Sequence, residues 1–198
     1  MKQVSAAIII IGDEILSGRT QDINTAWLAG ELNLRGIQVA EVRVVSDRQE
    51  AIVEAVNTLR ARNDYVFTTG GIGPTHDDKT AAAMAAAFDT ELHADPEAVR
   101  RLEEYYPPEK RNDARMKMAQ LPKGAGLIDN PISAAPGFIM ENVYVMAGIP
   151  SIMRAMFQGF GDNLQGGQPV QSLSLELECG EGDLAAPLSE LQDKFPDI

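Results

Sequence analysis

The sequence predicts an α/β protein: a three-layer α/β/α sandwich around a mostly parallel, doubly wound sheet, followed by a short partial α/β tail. Ala6 to Ile11 is a continuous apolar run, the pattern of a strand covered by helices on both faces. Strand-like and helix-like segments alternate from Ala6 to Phe88, which gives a βαβαβα order and a parallel sheet. The third strand runs into a glycine turn that opens a helix, at the sheet edge where open α/β folds take their ligands.

The 198 residues suffice for one core of ordinary domain size, taken as residues 1–168, and a small appendage over 169–198. Seventeen basic against 29 acidic side chains leave a net charge of −12, which argues against a general nucleic-acid or anionic-membrane surface. With one cysteine and two histidines, neither an internal disulfide nor a structural zinc site is expected. The N-terminal apolar run is too short to span a bilayer and leads into Gly12-Asp13-Glu14 rather than a small-residue cleavage site, so a cytoplasmic protein is expected.

After the first strand, a helix is expected from about Ile23 to Arg35, stopped by Gly36. Ile23, Trp27 and Leu34 lie roughly along one face, with Leu28 and Leu32 beside them, and Trp27 reads as core. Gln38 to Val45 is the second strand. A capping pattern of Ser46 with Gln49, or Asp47 with Glu50, starts the next helix, where Ile52, Ala55, Val56 and Leu59 keep amphipathic spacing. Asp64 to Phe67 is the third strand, and Ala81 to Phe88 the helix behind the glycine turn. Asp95-Pro96 is a cap followed by proline at the first helical position, so a helix runs to about Tyr106. A charged helix to Ala119 follows, and Arg100, Arg101, Lys110, Arg111 and Arg115 read as a solvated face, the alternative being a basic wall near the ligand. Short strands are expected at Leu127-Ile128, Gly137 to Met140 and Val143 to Met146, then a helix from Ser151 to Phe160. In the tail, Leu173, Leu175, Leu177 and Cys179 alternate with polar residues as in a half-buried strand, with Cys179 as a small core residue. Leu184, Leu188, Leu191 and Phe195 make one stripe of a final helix.

Thr69-Gly70-Gly71-Ile72-Gly73-Pro74-Thr75-His76-Asp77-Asp78-Lys79-Thr80 carries the chemistry. Glycines let backbone N–H groups approach an anion, and the following helix N-terminus favours negative charge. Asp77 and Asp78 would repel a phosphate unless a divalent cation bridges them, as Mg²⁺ does with one or two carboxylates and substrate phosphates. The plainer alternative is a turn with an aspartate cap. His76 is either a loop-packing residue or an acid–base group.

From about Val4 to Phe160 the chain resembles the molybdopterin-binding, MoaB/Mog-like domain family, and more closely the N-terminal domain of CinA-type competence/damage-inducible proteins. The strings that carry the resemblance are Gly12 to Asn24, Val45-Ser46-Asp47, the Thr69–Thr80 loop, Ala135-Pro136-Gly137-Phe138 and Gly148-Ile149-Pro150. It implies ligand or phosphate contacts at Gly70, Gly71, Gly73, Pro74, Thr75, Thr80, Gly12, Asp22, Asn24, Pro136 and Gly137. It implies catalytic roles for Asp78 and Asp47, a divalent cation (Mg²⁺ or Co²⁺) held by Asp78, Asp77 and Asp13, and a nucleotide or molybdopterin ligand. A homo-oligomer, dimer or trimer, is also implied. The implied activity is metal-dependent cleavage of a nucleotide pyrophosphate such as ADP-ribose or FAD. The alternatives are molybdopterin adenylylation and a non-catalytic binding domain. Ile72 stands where the cofactor-synthesis branch usually has Thr, and Thr75-His76-Asp77-Asp78 resembles the CinA branch instead. Ala147, where a Pro is common, weakens the match at that loop. The tail resembles the beginning of the small α/β module that follows this domain in CinA-like proteins.

Overall fold

The computed structural model describes residues 3–169 and 176–195. The chain opens with strand β1 (Val4–Ile11), the one-turn helix α1 (Asp13–Leu16) and helix α2 (Asn24–Leu34). Strand β2 (Ile37–Val45), helix α3 (Gln49–Arg60), strand β3 (Tyr65–Thr69) and helix α4 (Thr80–Ala87) complete the expected alternation. An excursion follows, made of β4 (Leu92–Ala94), α5 (Pro96–Tyr105), α6 (Asp113–Met116) and β5 (Gln120–Pro122). Then β6 (Gly126–Ile128), β7 (Gly137–Met140), β8 (Val143–Met146) and α7 (Pro150–Phe160) return to the sheet, and α8 (Glu181–Lys194) lies in the tail.

The main sheet has the order β2-β1-β3-β8-β7-β6. Its β1–β2, β1–β3 and β3–β8 pairs are parallel, while β7 runs antiparallel to both β8 and β6. The apolar run of β1 is explained by the two layers around it. Ala7, Ile9 and Ile11 face a core built with Ile52, Val56 and Leu59 of α3 and Met84 of α4. Ala6, Ile8 and Ile10 face a second core built with Leu28 and Leu32 of α2 and Met153 and Phe157 of α7. Alternate side chains from Ala6 to Ile11 thus serve opposite layers, so that stretch is wholly apolar, and the strand's one polar residue, Ser5, lies near its start and bonds the Asp64 carboxylate.

Trp27 packs edge-to-face on Phe157, with ring centroids 5.5 Å apart, as a core residue should. The buried stripe of α2 is nevertheless Leu28 and Leu32. Leu34 and Ile23 are 72% and 47% exposed, and Asn24 takes a buried place instead. Asp95 caps α5 by accepting the Glu97 and Ala98 amides at 3.0 and 2.9 Å, with Pro96 at the first turn as expected. The segment running to Ala119 is shorter than expected: the single turn of α6 continues only as a 3-10 turn, Lys117–Ala119. The antiparallel pair β4–β5 was not expected from local pattern.

The tail strand falls largely on residues 170–175, outside the described residues. Residues 176–179 carry no strand, and Cys179 is exposed rather than in a core. Helix α8 forms where expected, but its Leu188 and Leu191, and Phe195 just beyond its end, are each more than half exposed.

Candidate functional site

Four loops meet at the carboxyl edge of the parallel strands: those after β1, β2, β3 and β8. They border a crevice of about 590 Å³. Its floor is the glycine loop. Gly70 and Gly71 have φ of +108° and +68°, where a side chain is strained. A Cβ at Gly70 would lie 2.2 Å from the Ile11 carbonyl oxygen, so the backbone of β1 and the loop can meet only at a glycine.

Gly70, Gly71, Gly73, Pro74, Thr75, Asp77, Asp78 and Asp47 all line the crevice. Asp78 is turned onto its own loop, where its Oδ2 accepts the Thr75 amide at 2.7 Å and the Thr75 hydroxyl at 2.6 Å. The same hydroxyl also contacts the Asp77 carboxylate. That contact, with attraction from His76 and Lys117, holds the Asp77 carboxyl below the usual range. Asp47 caps no helix: α3 starts without a side-chain cap. Instead Asp47 Oδ2 accepts the Asp13 amide at 2.8 Å, tying the loops after β2 and β1 together. Burial raises the Asp47 carboxyl above its ordinary value, the Asp13 amide opposes that, and repulsion from Asp13, Glu14 and Asp77 adds to it.

The other sequence-derived residues stand outside this wall. The Gly12 amide donates to the Val45 carbonyl at 3.1 Å, and a Cβ at Gly12 would fall 2.5 Å from Glu14 Oε1. Glu14, not Asp13, lines the crevice, and that glycine is the only local signal for it. Asp22 accepts the Asn24 and Thr25 amides at the start of α2, and Asn24 Nδ2 donates to the Gly148 carbonyl at 2.7 Å. Both border a small side hollow of about 70 Å³. The Thr80 hydroxyl is buried and donates to the Gly70 carbonyl at 2.9 Å, so it props the loop from below. Pro136 borders a hollow behind the loop, and Gly137 admits the Val145 carbonyl, which an added Cβ would meet at 2.4 Å.

The rest of the wall combines the Gly148-Ile149-Pro150 string with residues that the sequence does not mark as site residues. Tyr106 and Met118 of the excursion, Asn130, Ile149 and Ile152 also line the crevice. The Asn130 amide holds its own loop by donating to Ser133 Oγ at 2.7 Å and to the Ala135 carbonyl at 2.8 Å. Arg100, Arg101, Lys110, Arg111 and Arg115 do not line the crevice. Arg100 and Arg101 pair with Glu97, Arg111 donates to the Tyr106 carbonyl, and Arg115 lies over the Tyr106 ring.

The wall therefore carries the carboxylates of Glu14, Asp47, Asp77 and Asp78 and, among the described residues, no Lys, Arg or His side chain. Hard oxygen donors of this kind suit Mg²⁺-like ions. Among the described residues, however, no group of three or more His, Cys, Asp or Glu side chains converges as a ready metal cage, so Asp13, Asp77 and Asp78 do not form the expected trio. The donor set fits a cation held by one or two carboxylates together with the ligand's own phosphates.

Comparison with known proteins identifies the family of the domain. Residues 7–166 match the family described as "Probable molybdopterin binding domain". A protein of Aeropyrum pernix is 39% identical over 194 residues, covering 94% of this chain and 71% of its own length. A CinA-like protein of Desulfosudis oleivorans is 38% identical over 182 residues, and this chain spans only 44% of its length. Among solved structures, a CinA protein of unknown function from Thermoplasma acidophilum superposes with a TM-score of 0.77 at 30% identity, covering 82% of this chain and 99% of that one. The molybdopterin biosynthesis enzyme MoaB of Thermus thermophilus shares the fold, with a TM-score of 0.54 at 16% identity. The chain belongs to the molybdopterin-binding domain family and is CinA-like within it.

Proposed function

We propose that the crevice binds a nucleotide carrying a pyrophosphate together with a divalent cation and hydrolyses the pyrophosphate bond, with ADP-ribose or FAD as the substrate type. What supports this is the wall itself: a glycine loop at a helix entrance beside four carboxylates, without a cationic side chain. Backbone amides invite phosphate. Carboxylates reject it unless a cation is shared between them. Asp77 and Asp78 would hold that cation, which supplies neutralisation of phosphate charge and a more acidic bound water.

The chain's own groups do the rest. Gly70, Gly71 and Gly73 give the phosphates close backbone approach, and Tyr106, Met118 and Ile149 offer an apolar surface for a base or ring. Asp47 and Asp77 sit in one wall with carboxyl affinities displaced in opposite directions, Asp47 raised by burial and Asp77 lowered by the Thr75 hydroxyl, which makes Asp47 the better proton acceptor of the two. Asp47 is the base: it takes the proton of the water that attacks phosphorus, while the bridging oxygen leaves on the other phosphate.

The test is incubation of the purified protein with ADP-ribose, FAD and NAD, with Mg²⁺ or Co²⁺, and chromatography for AMP. Metal-dependent AMP is expected, and Asp78→Asn should abolish it. Full turnover by that variant would remove Asp78 from the mechanism. No AMP from any pair would overturn hydrolysis. Pyrophosphate release from ATP that depends on molybdopterin would then indicate adenylyl transfer, and tight ligand binding without turnover a binding domain.

A further inference from the structure

We propose that Lys117 is a positioning residue that clamps the acidic end of the glycine loop from behind and so fixes the carboxylates that face the crevice. Lys117 Nζ donates to the Thr75 carbonyl at 2.6 Å and to the Asp78 carbonyl at 2.9 Å. These are the two ends of one four-residue turn. The same turn is closed on its inner side by the Asp78 carboxylate, which accepts the Thr75 amide and hydroxyl. Inner and outer clasps therefore hold the same pair of residues.

The turn needs such support. From Pro74 to Asp77 every residue is exposed, and its other backbone contact, the Asp78 amide to the Thr75 carbonyl, is long at 3.4 Å. Among the described residues, Lys117 is the side chain from another element that is hydrogen-bonded to this turn. It does not line the crevice; it borders the hollow behind the loop with Gly71, Gly73 and Asp78. It cannot touch a ligand lying in the crevice without leaving both carbonyls. Its place is fixed by the 3-10 turn Lys117–Ala119, whose Ala119 is buried and whose Met118 lines the crevice. The excursion between α4 and β6 thus supplies part of the crevice wall and braces the glycine loop.

Outer partners that orient ligating groups typically govern affinity about 10–100-fold when removed. The variant Lys117→Met keeps the apolar stem and deletes the donor. Two readouts are compared with wild type, with Lys117→Arg as rescue and Lys110→Met as a neutral charge control on the same excursion. Exchange of the Thr75 amide, measured on the ligand-free protein, should speed up on the order of tenfold, as for loss of one hydrogen bond. The metal concentration giving half-maximal ADP-ribose cleavage should rise roughly 10–100-fold, while KM for ADP-ribose at saturating metal changes little. Lys117→Arg should restore both, and Lys110→Met should alter neither.

The metal arm rests on the hydrolysis proposed above; the exchange arm does not. If the wild-type protein turns over nothing, hydrolysis has failed and Thr75 exchange alone decides on the clamp. Exchange in Lys117→Met equal to wild type overturns the clamp whatever the activity. A raised KM for ADP-ribose with an unchanged metal response would overturn it in favour of a direct ligand contact.

Discussion

Gly70→Ala tests the contact on which the crevice depends, and Gly124→Ala supplies its internal reference. Both glycines have positive φ, +108° and +89°. An alanine there costs about 1–2 kcal/mol in backbone strain at either place. The surroundings differ completely. A Cβ at Gly124 meets nothing within 4 Å, whereas at Gly70 it lies 2.2 Å from the Ile11 carbonyl oxygen. That oxygen belongs to Ile11, the last residue of β1 and paired with Val45 of β2, so it can yield only by disturbing the end of that pair. Forcing a methyl into a packed site adds about 1–3 kcal/mol. Gly70→Ala should therefore be less stable than Gly124→Ala by about 1–3 kcal/mol, or roughly 2–12 °C in Tm for a chain of this size. Denaturation followed by Trp27, the single tryptophan, reads the core directly because the ring packs on Phe157. Equal stability of the two variants would mean that the loop does not rest against β1, and the floor of the crevice would have to be redrawn.

Thr80→Val removes the hydroxyl that satisfies the buried Gly70 carbonyl and should destabilise by about 1–3 kcal/mol, while Thr80→Ser should be close to wild type. Unchanged stability with weakened nucleotide binding would return Thr80 to a phosphate-binding role. Asp47→Asn should make the protein more stable at neutral pH while it abolishes turnover. Burial raises the Asp47 carboxyl in the folded protein, so its contribution is most favourable below the unfolded value near 3.8 and is lost as pH rises through the folded value. Asparagine escapes that loss and can still accept the Asp13 amide, so the gain should fade in denaturation curves taken near pH 3. A loss of stability at pH 7 would show that the hydrogen bond to Asp13 outweighs desolvation and repulsion.

Much of this fold is written in short-range pattern. β1 declares itself because both of its faces are buried, and α3 because Ile52, Ala55, Val56 and Leu59 form one stripe. The glycine loop is legible because strand end, turn and helix start are contiguous. What pattern could not give is whatever depends on register between distant segments. Asp47 has the spacing of a cap, yet the β1–β2 register that sets Ile11 beside Val45 brings the Asp13 amide within 2.8 Å of it. Spacing on α2 permits several faces, and the one chosen follows from where α7 lies: Leu28 and Leu32 go in, Ile23 and Leu34 stay out. Thr80 has the residue type of a phosphate ligand, but the positive φ of Gly71 turns the Gly70 carbonyl toward a hydroxyl in its helix's first turn. Lys117 is 39 and 42 residues from its partners, and nothing in its own neighbourhood distinguishes it from other lysines of the excursion.

The charge of the site connects these parts. A chain of net charge −12 with four carboxylates in one wall repels a free phosphate at long range and at contact alike. Backbone amides and one helix entrance are weak, short-range attractions by comparison. The phosphate ligand of the proposed function would therefore arrive with its charge already shared with a cation, or meet one in the crevice. On the proposed function, such a site would select the metal–phosphate pair over either component alone, because neither carboxylates nor amides would be satisfied by half of it. Selection of that kind demands that the carboxylates keep fixed separations. The carboxylates are held at two places: Asp47 by the Asp13 amide between the loops after β2 and β1, and the Thr75–Asp78 turn by the Asp78 carboxylate and by Lys117 across its back.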